Sequence, residues 1–204
     1  MHLPDGALNA PICVVSTLGA GIAAALGLWR LPDRMIPRLS MATAAFFVVG
    51  AFHIRIGPGS VHLLLTGLLA GLLGWRSIVP VAVGVLLQAV LIQHGGLTTA
   101  GFNTLVIGLP AMLAGIGVGP QMASAGPARA AVLAAVATAV CYAGSIALFV
   151  GGVEVANQRL VAPLGVWAAM HLPVAGLEMV VAAATLAALA RNRTGEPIPC
   201  ATAG

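Results

Sequence analysis

Residues 127–152 read PARAAVLAAVATAVCYAGSIALFVGG, and Arg129 is their one charged side chain. A spanning helix needs about 20 apolar residues, fewer where it is partly enclosed by protein, so this stretch reads as a membrane crossing. Working outward, six more stretches share its character: 8–29, 36–53, 60–74, 77–93, 101–119 and 163–190. The third and fourth are short and contain glycine, which predicts that they are either broken or tightly coupled as a hairpin. Punctuation falls between the segments, at Leu31-Pro32-Asp33, Gly57-Pro58-Gly59, Gly95-Gly96, Gly119-Pro120 and Gly126-Pro127. The expected architecture is an all-α membrane protein of seven transmembrane helices. Residues 1–193 form one polytopic domain, and 194–204, with Pro197 and Pro199, form a flexible tail.

Composition agrees. Of 204 residues 60% are hydrophobic and 7% charged, against about a quarter charged in a soluble domain, and the mean hydropathy is +1.05. The 26 glycines and abundant alanine suit helices that approach closely in lipid, where small side chains replace a hydrophobic driving force. A basic balance would point to nucleic acid in a soluble chain. Here the nine basic residues, all arginine, serve as topology markers. Arg30, Arg34, Arg38, Arg76, Arg129, Arg191 and Arg193 fall on one side of the predicted bundle, and Arg55 and Arg159 on the other. The positive-inside rule then puts the N-terminus outside and the C-terminal tail in the cytoplasm. Cys13, Cys141 and Cys200 are widely spaced without CxxC or zinc-type patterns, so buried small apolar groups are expected rather than disulfides or thiolate ligands.

That topology gathers all five histidines at the outer face: His2, His53, His62, His94 and His171. Taken singly, each is better explained as an interfacial, hydrogen-bonded group than as a ligand. Together they point to an outward-facing site for a nitrogen-loving ion. Met1-His2 adds a chelate: the Met1 amine, the His2 amide nitrogen and His2 Nδ1 can close two fused rings on one cation. The arrangement needs an uncut N-terminus. No cationic region or cleavage site marks a signal peptide, and the large His2 side chain disfavours removal of Met1. Such a planar set suits Ni(II) and Cu(II) and accepts Co(II), and imidazole and amine donors disfavour Mg and Ca. The fourth nitrogen is expected from His62, which follows Gly57-Pro58-Gly59-Ser60 and is predicted to open an apolar helix. For Met1-His2 to reach it, Leu3-Pro4-Asp5-Gly6 must fold back, with a turn at Asp5-Gly6. Asp5 can hold an imidazole tautomer or cap the first helix.

These residues carry a resemblance. Met1-His2-Leu3-Pro4-Asp5-Gly6 resembles the start of the CbiM/NikM family, the substrate-binding membrane subunits of energy-coupling-factor cobalt and nickel transporters. Gly57-Pro58-Gly59-Ser60-Val61-His62-Leu63, His94-Gly95-Gly96-Leu97-Thr98-Thr99-Ala100-Gly101 with Asn103, and His171-Leu172-Pro173 with Glu178 are similar to that family's internal motifs. The resemblance spans nearly the whole chain in order. It implies seven helices, one more at the N-terminus than vitamin-binding relatives have. It also implies metal ligands at the Met1 amine, the His2 amide and imidazole nitrogens, and His62. His94, Thr98, Thr99 and the loop between them would support the ligands or close over them. Asn103 would orient a ligand or bond a neighbouring helix. His53 and Arg55 depart from the family by making their loop more basic, and Arg55 is expected to pair with Asp5 or Glu154. Glu178, on the face of His171, lies too deep for a ligand and is expected to make interhelical or inter-subunit hydrogen bonds. Gln88 reads as a helix–helix contact.

The function implied is that of the metal-capturing component of an ATP-driven cobalt importer serving cobalamin biosynthesis, in a bacterial inner membrane. The alternatives are nickel as the ion and, less favoured, a self-sufficient secondary metal permease. The chain has no GxxxxGK[ST] loop, so an ATPase pair, a coupling membrane protein and a small accessory subunit are the partners the resemblance implies. An enzyme is not expected, since no HExxH or clustered histidine box occurs.

Overall fold

The computed structural model describes residues 2–52, 54–56, 59–156 and 164–192. Its α-helices are α1 Ala10–Leu28, α2 Ile36–Ala51, α3 Thr66–Leu73, α4 Ile78–Leu91, α5 Ala100–Met122, α6 Pro127–Val155 and α7 Leu164–Arg191. Two short 3-10 turns, Asp33–Met35 and Gly74–Ser77, precede α2 and α4. The protein is an α-helical membrane protein. By length and apolarity alone, five helical stretches among the described residues can cross a membrane: Ala10–Leu28, Thr66–Leu91, Ala100–Met122, Pro127–Val155 and Ala169–Arg191, although Thr66–Leu91 is not one straight helix but α3 and α4 joined by the turn Gly74–Ser77. Large apolar side chains such as Val15, Met41 and Val180 are mostly exposed, an arrangement that lipid rather than water makes favourable.

Two local expectations need correction. The all-α reading omits a small antiparallel hairpin, β1 Ile54–Ile56 and β2 Gly59–Val61, in which Ile54 pairs with Val61 and Arg55 with Ser60. The third helix therefore begins at Thr66 rather than at residue 60, and His62 lies in a non-helical segment instead of opening a helix. Strand pairing claims residues 59–61, and Leu65 adopts a left-handed conformation (φ 53°) directly before α3. Hydropathy sees neither event.

The short third and fourth segments do reverse the chain, but not as a packed pair. His62 and His94 lie beside His2 at one end of the bundle. Arg76 lies at the other end, where its guanidinium donates to the carbonyls of Gly27 (2.6 Å), Trp29 (3.1 Å) and Arg30 (3.3 Å). It thus satisfies orphan carbonyls at the end of α1 and places positive charge against the negative end of that helix. Between these ends α3 packs on α5, α6 and α7, whereas α4 packs on α1, α2 and α5. The two legs straddle α5, which also touches α1 and α6 and buries Asn103, Val106, Ile107 and Ala111. Prolines lie inside helices at 110, 120 and 173, as membrane helices tolerate where the surrounding protein can re-satisfy the freed backbone groups.

Asn9, rather than Asp5, caps α1. Its side-chain oxygen accepts from the Ile12 amide at 3.2 Å, and a proline occupies the first turn, a favourable helix start.

Candidate metal centre

The N-terminal segment does not trail into solvent. Leu3 is buried, and its peptide group is gripped on both sides by Asn103 of α5. The Leu3 amide donates to Asn103 Oδ1 at 2.9 Å, and Asn103 Nδ2 donates to the Leu3 carbonyl at 3.1 Å. Thr99 Oγ1 donates to the same carbonyl at 2.6 Å. An asparagine side chain has the same donor and acceptor as a peptide, so this pair works like one rung of a sheet.

Beyond Leu3 the chain turns, with the Ala7 amide donating to the Pro4 carbonyl at 3.2 Å and Gly6 at φ +81°. A glycine with positive φ at the third position of the turn is the type II arrangement. The turn presents Asp5 to the loop after α4. Its carboxylate accepts from the Thr98 hydroxyl (2.6 Å) and the Thr98 amide (2.7 Å). Those two bonds hold the Asp5 carboxyl below the usual carboxylate range. Asp5 thus holds the loop after α4. Gly95 and Gly96 make room for this close approach. A Cβ on Gly95, itself at φ +81°, would lie 3.2 Å from Asn103 Nδ2 and 3.4 Å from His2 Cδ2, and one on Gly96 would run into Asp5.

With Leu3 and Asp5 fixed, His2 points into the bundle, where it meets His62 and His94. The three offer ligand nitrogens that all lie within 4.8 Å of one another. His2 Nδ1 is 3.0 Å from His62 Nε2. Ring centroids are 4.9 Å apart for His2–His62, 4.6 Å for His2–His94 and 5.4 Å for His62–His94. His62 is buried, and its Nδ1 lies 3.1 Å from the Leu63 carbonyl. A carbonyl only accepts, so His62 Nδ1 carries the proton and Nε2 presents its lone pair to His2.

The distances can be compared with those around a cation. Two nitrogens at right angles about an ion in a planar set, each bonded at about 2.0–2.1 Å, are separated by about 2.9 Å. The 3.0 Å between His2 Nδ1 and His62 Nε2 matches that spacing. Opposed ligands are about 4.2 Å apart, so the third nitrogen, within 4.8 Å, needs only a small shift. Imidazole donors favour Ni, Co, Cu and Zn over Mg and Ca.

Other expected residues divide clearly. His94 sits within the cluster itself, closer than a lid or support requires. Gln93 before it is left-handed (φ 52°), and the His94 amide donates to the Gln88 carbonyl at 3.0 Å, which turns the ring inward. His171 is buried in α7 outside this trio. Glu178 is buried and accepts from Leu64 N–H and from Tyr142 O–H, the latter at 2.9 Å. Arg55 is described in its backbone pairing with Ser60, and Asp5, one of its two expected partners, is engaged by Thr98. Met1 and His53 lie outside the described residues. Tyr142 was not among the expected site residues, though a lone tyrosine in so apolar a helix is a visible signal.

Comparison with known proteins places this architecture. A fused nickel transport protein NikMN of Rhodobacter capsulatus is 30% identical over 175 residues, 78% of this chain and 48% of its own length. A cobalt transport protein CbiM of Lachnoclostridium phytofermentans is 32% identical over 126 residues, 58% of this chain and 50% of its own. The chain spans about half the length of the curated relatives it matches. A crystal structure of a truncated transition metal transporter shares the fold, with a TM-score of 0.70 at 20% identity, covering 94% of this chain and 97% of that one. Residues 2–195 match the family described as CbiM, cobalt uptake substrate-specific transmembrane region, and the chain belongs to that family.

Proposed function

We propose that this protein captures Co(II) or Ni(II) at the outer membrane face, as the binding component of an ATP-driven importer. The observation that carries the reading is the 3.0 Å approach of His2 Nδ1 to His62 Nε2 with His94 alongside. These nitrogens are brought together by a segment whose backbone is clamped independently of any ion. A preorganised site of this kind binds without the cost of ordering its ligands. When Met1 carries a free amine, that amine and the His2 amide complete a four-nitrogen set with His2 Nδ1 and His62 Nε2, and His94 stands by as a further ligand. Asp5, Thr98, Thr99 and Asn103 hold the segment in place.

The chain crosses a bacterial inner membrane seven times, with the histidine end outside and the arginine-rich end in the cytoplasm. The support is the reversal at Arg76 and the placement of Arg76 beside Arg30. Partner ATPases, a coupling membrane subunit and a small accessory subunit supply energy and release. Cobalt for cobalamin biosynthesis is the favoured cargo and nickel the alternative, since relatives are named for each ion.

The test is titration of the purified full chain with Co(II) and Ni(II), beside metal uptake by cells with and without the ATPase partners. Tight binding that His62→Ala weakens at least a hundredfold, and uptake that needs the ATPase, support the proposal. Absence of binding would overturn it. Uptake by the chain alone would make it a secondary permease.

A further inference from the structure

His62 sits in a four-residue non-helical segment between β2 and α3, and such a segment holds a ligand only as well as it is itself held. One side chain reaches it from a distant helix. Glu178, halfway along α7 and two helical turns after His171, accepts a hydrogen bond from Leu64 N–H, two residues after His62. The same carboxylate oxygen accepts from Tyr142 of α6 at 2.9 Å. Leu65 is left-handed and α3 begins at Thr66, so the carboxylate lies at a helix N-terminus where unpaired N–H groups and the helix dipole favour an acceptor. The segment that leads into α3 thus meets α6 and α7 at one carboxylate.

For the bundle alone this is a poor arrangement. Glu178 is almost wholly buried, and its other oxygen, Oε2, is buried with no hydrogen-bond partner. A carboxyl inside a membrane helix is costly, and a half-satisfied one is worse than an apolar side chain of similar size. Its hydrogen bonds are spent on the backbone that aims His62.

We infer that Glu178 is a positioning residue for the metal centre: through Leu64 N–H, and steadied by Tyr142, it fixes the segment that presents His62 Nε2 to His2. The inference rests on the proposal that His62 is a metal ligand. Glu178→Leu removes the acceptor and frees the segment, so Ni(II) affinity falls at least tenfold. The absorption spectrum of the nickel-loaded protein shifts toward that of His62→Ala. Glu178→Gln keeps an acceptor at Oε1 and restores affinity to within about threefold.

The experiment is Ni(II) titration with parallel absorption spectra on the full chain in detergent, for the unaltered protein, His62→Ala, Glu178→Leu and Glu178→Gln. Wild-type affinity and spectrum in Glu178→Leu overturn the inference. So does a spectrum unchanged in shape while only the melting temperature falls, which is the mark of a purely structural role. If Glu178→Leu does not fold, Tyr142→Phe decides: about threefold weaker binding with a spectral shift supports the inference, and wild-type behaviour overturns it. If the unaltered protein binds no nickel, or His62→Ala binds as tightly as the unaltered protein, the proposed function fails instead. The two failures are therefore distinct.

Discussion

Replacing Asn103 by leucine, nearly the same size, removes the clamp on the N-terminal segment and leaves the bundle otherwise filled. The consequences at Leu3 are unequal. Its carbonyl loses Asn103 Nδ2 but keeps Thr99 Oγ1 at 2.6 Å. Its buried amide loses Asn103 Oδ1, the acceptor at 2.9 Å. One orphaned buried N–H costs about 1–3 kcal/mol. The protein can avoid that cost by releasing residues 2–8 into water, which exposes Leu3 and Leu8 and takes His2 from His62. Either way the docked state loses about 1–3 kcal/mol, and at about 1.4 kcal/mol per factor of ten the metal affinity falls about 5- to 150-fold. Asn103→Asp should be at least as damaging, because it keeps an acceptor for the Leu3 amide but turns a second oxygen toward the Leu3 carbonyl. Ni(II) titration gives the affinity, and hydrogen exchange at the Leu3 amide reports docking directly. If Asn103→Leu binds within threefold of the unaltered protein while the Leu3 amide stays protected, the clamp does not hold the site and the reasoning is wrong.

Gly96→Ala should loosen the same segment from the opposite side, since its Cβ would run into Asp5; faster proteolysis of residues 2–9 with an unchanged bundle melting temperature is the expected outcome. Thr99→Val should weaken metal binding about fivefold, a net hydrogen bond of about 1 kcal/mol, because Asn103 still serves the Leu3 carbonyl. The Asp5 carboxyl is held below its ordinary range by Thr98, so the Asp5–Thr98 tether contributes at pH values above that range and is lost only as pH falls through the lowered value. The ratio of metal affinities between the unaltered protein and Asp5→Ala should accordingly be flat from pH 5 to pH 8, and a ratio that changes tenfold across that window would show that the tether titrates.

Hydropathy located the helices because apolar stretches of spanning length leave little else to form, and the ends of α6 and α7 fall within three residues of expectation. It failed at 60–65, where the residues are as apolar as the helix that follows. There the backbone obeys hairpin pairing and the left-handed Leu65, both tertiary facts. The fold-back of Leu3-Pro4-Asp5-Gly6 was legible, since a proline followed by Asp-Gly makes a turn wherever it lies. Its anchors were not: nothing local says that Asn103, a hundred residues on, will match the Leu3 peptide. The Asn9 cap has a local signal, an asparagine followed by a proline in the first turn of the helix. Among the histidines, membrane side grouped His2, His62 and His94, and could not separate them from His171, which faces the bundle through α7. Side assigns a height in the membrane and no angle around the bundle axis.

The three-histidine cluster and the amine–amide chelate make different demands on protons, and that difference tests the role of the N-terminus. In the metal-free protein His62 Nδ1 donates to Leu63 O, so the proton in the His2–His62 bond belongs to His2 Nδ1. A cation that takes both nitrogens displaces this proton, but His2 can carry it on Nε2 instead, with no net release. An ion held by the trio alone therefore releases no proton at a pH where all three rings are neutral. The chelate differs, because a peptide nitrogen binds a metal only after losing its N–H proton, and that proton has no other site on His2 to occupy. Calorimetric titration at pH 8.5 in buffers of differing ionisation enthalpy counts the protons released per ion. At least one proton per Ni(II) is expected, falling to zero when the N-terminal amine is acetylated, with affinity reduced to what the trio alone provides. Release of no proton by the unblocked protein would remove the His2 amide from the ligand set.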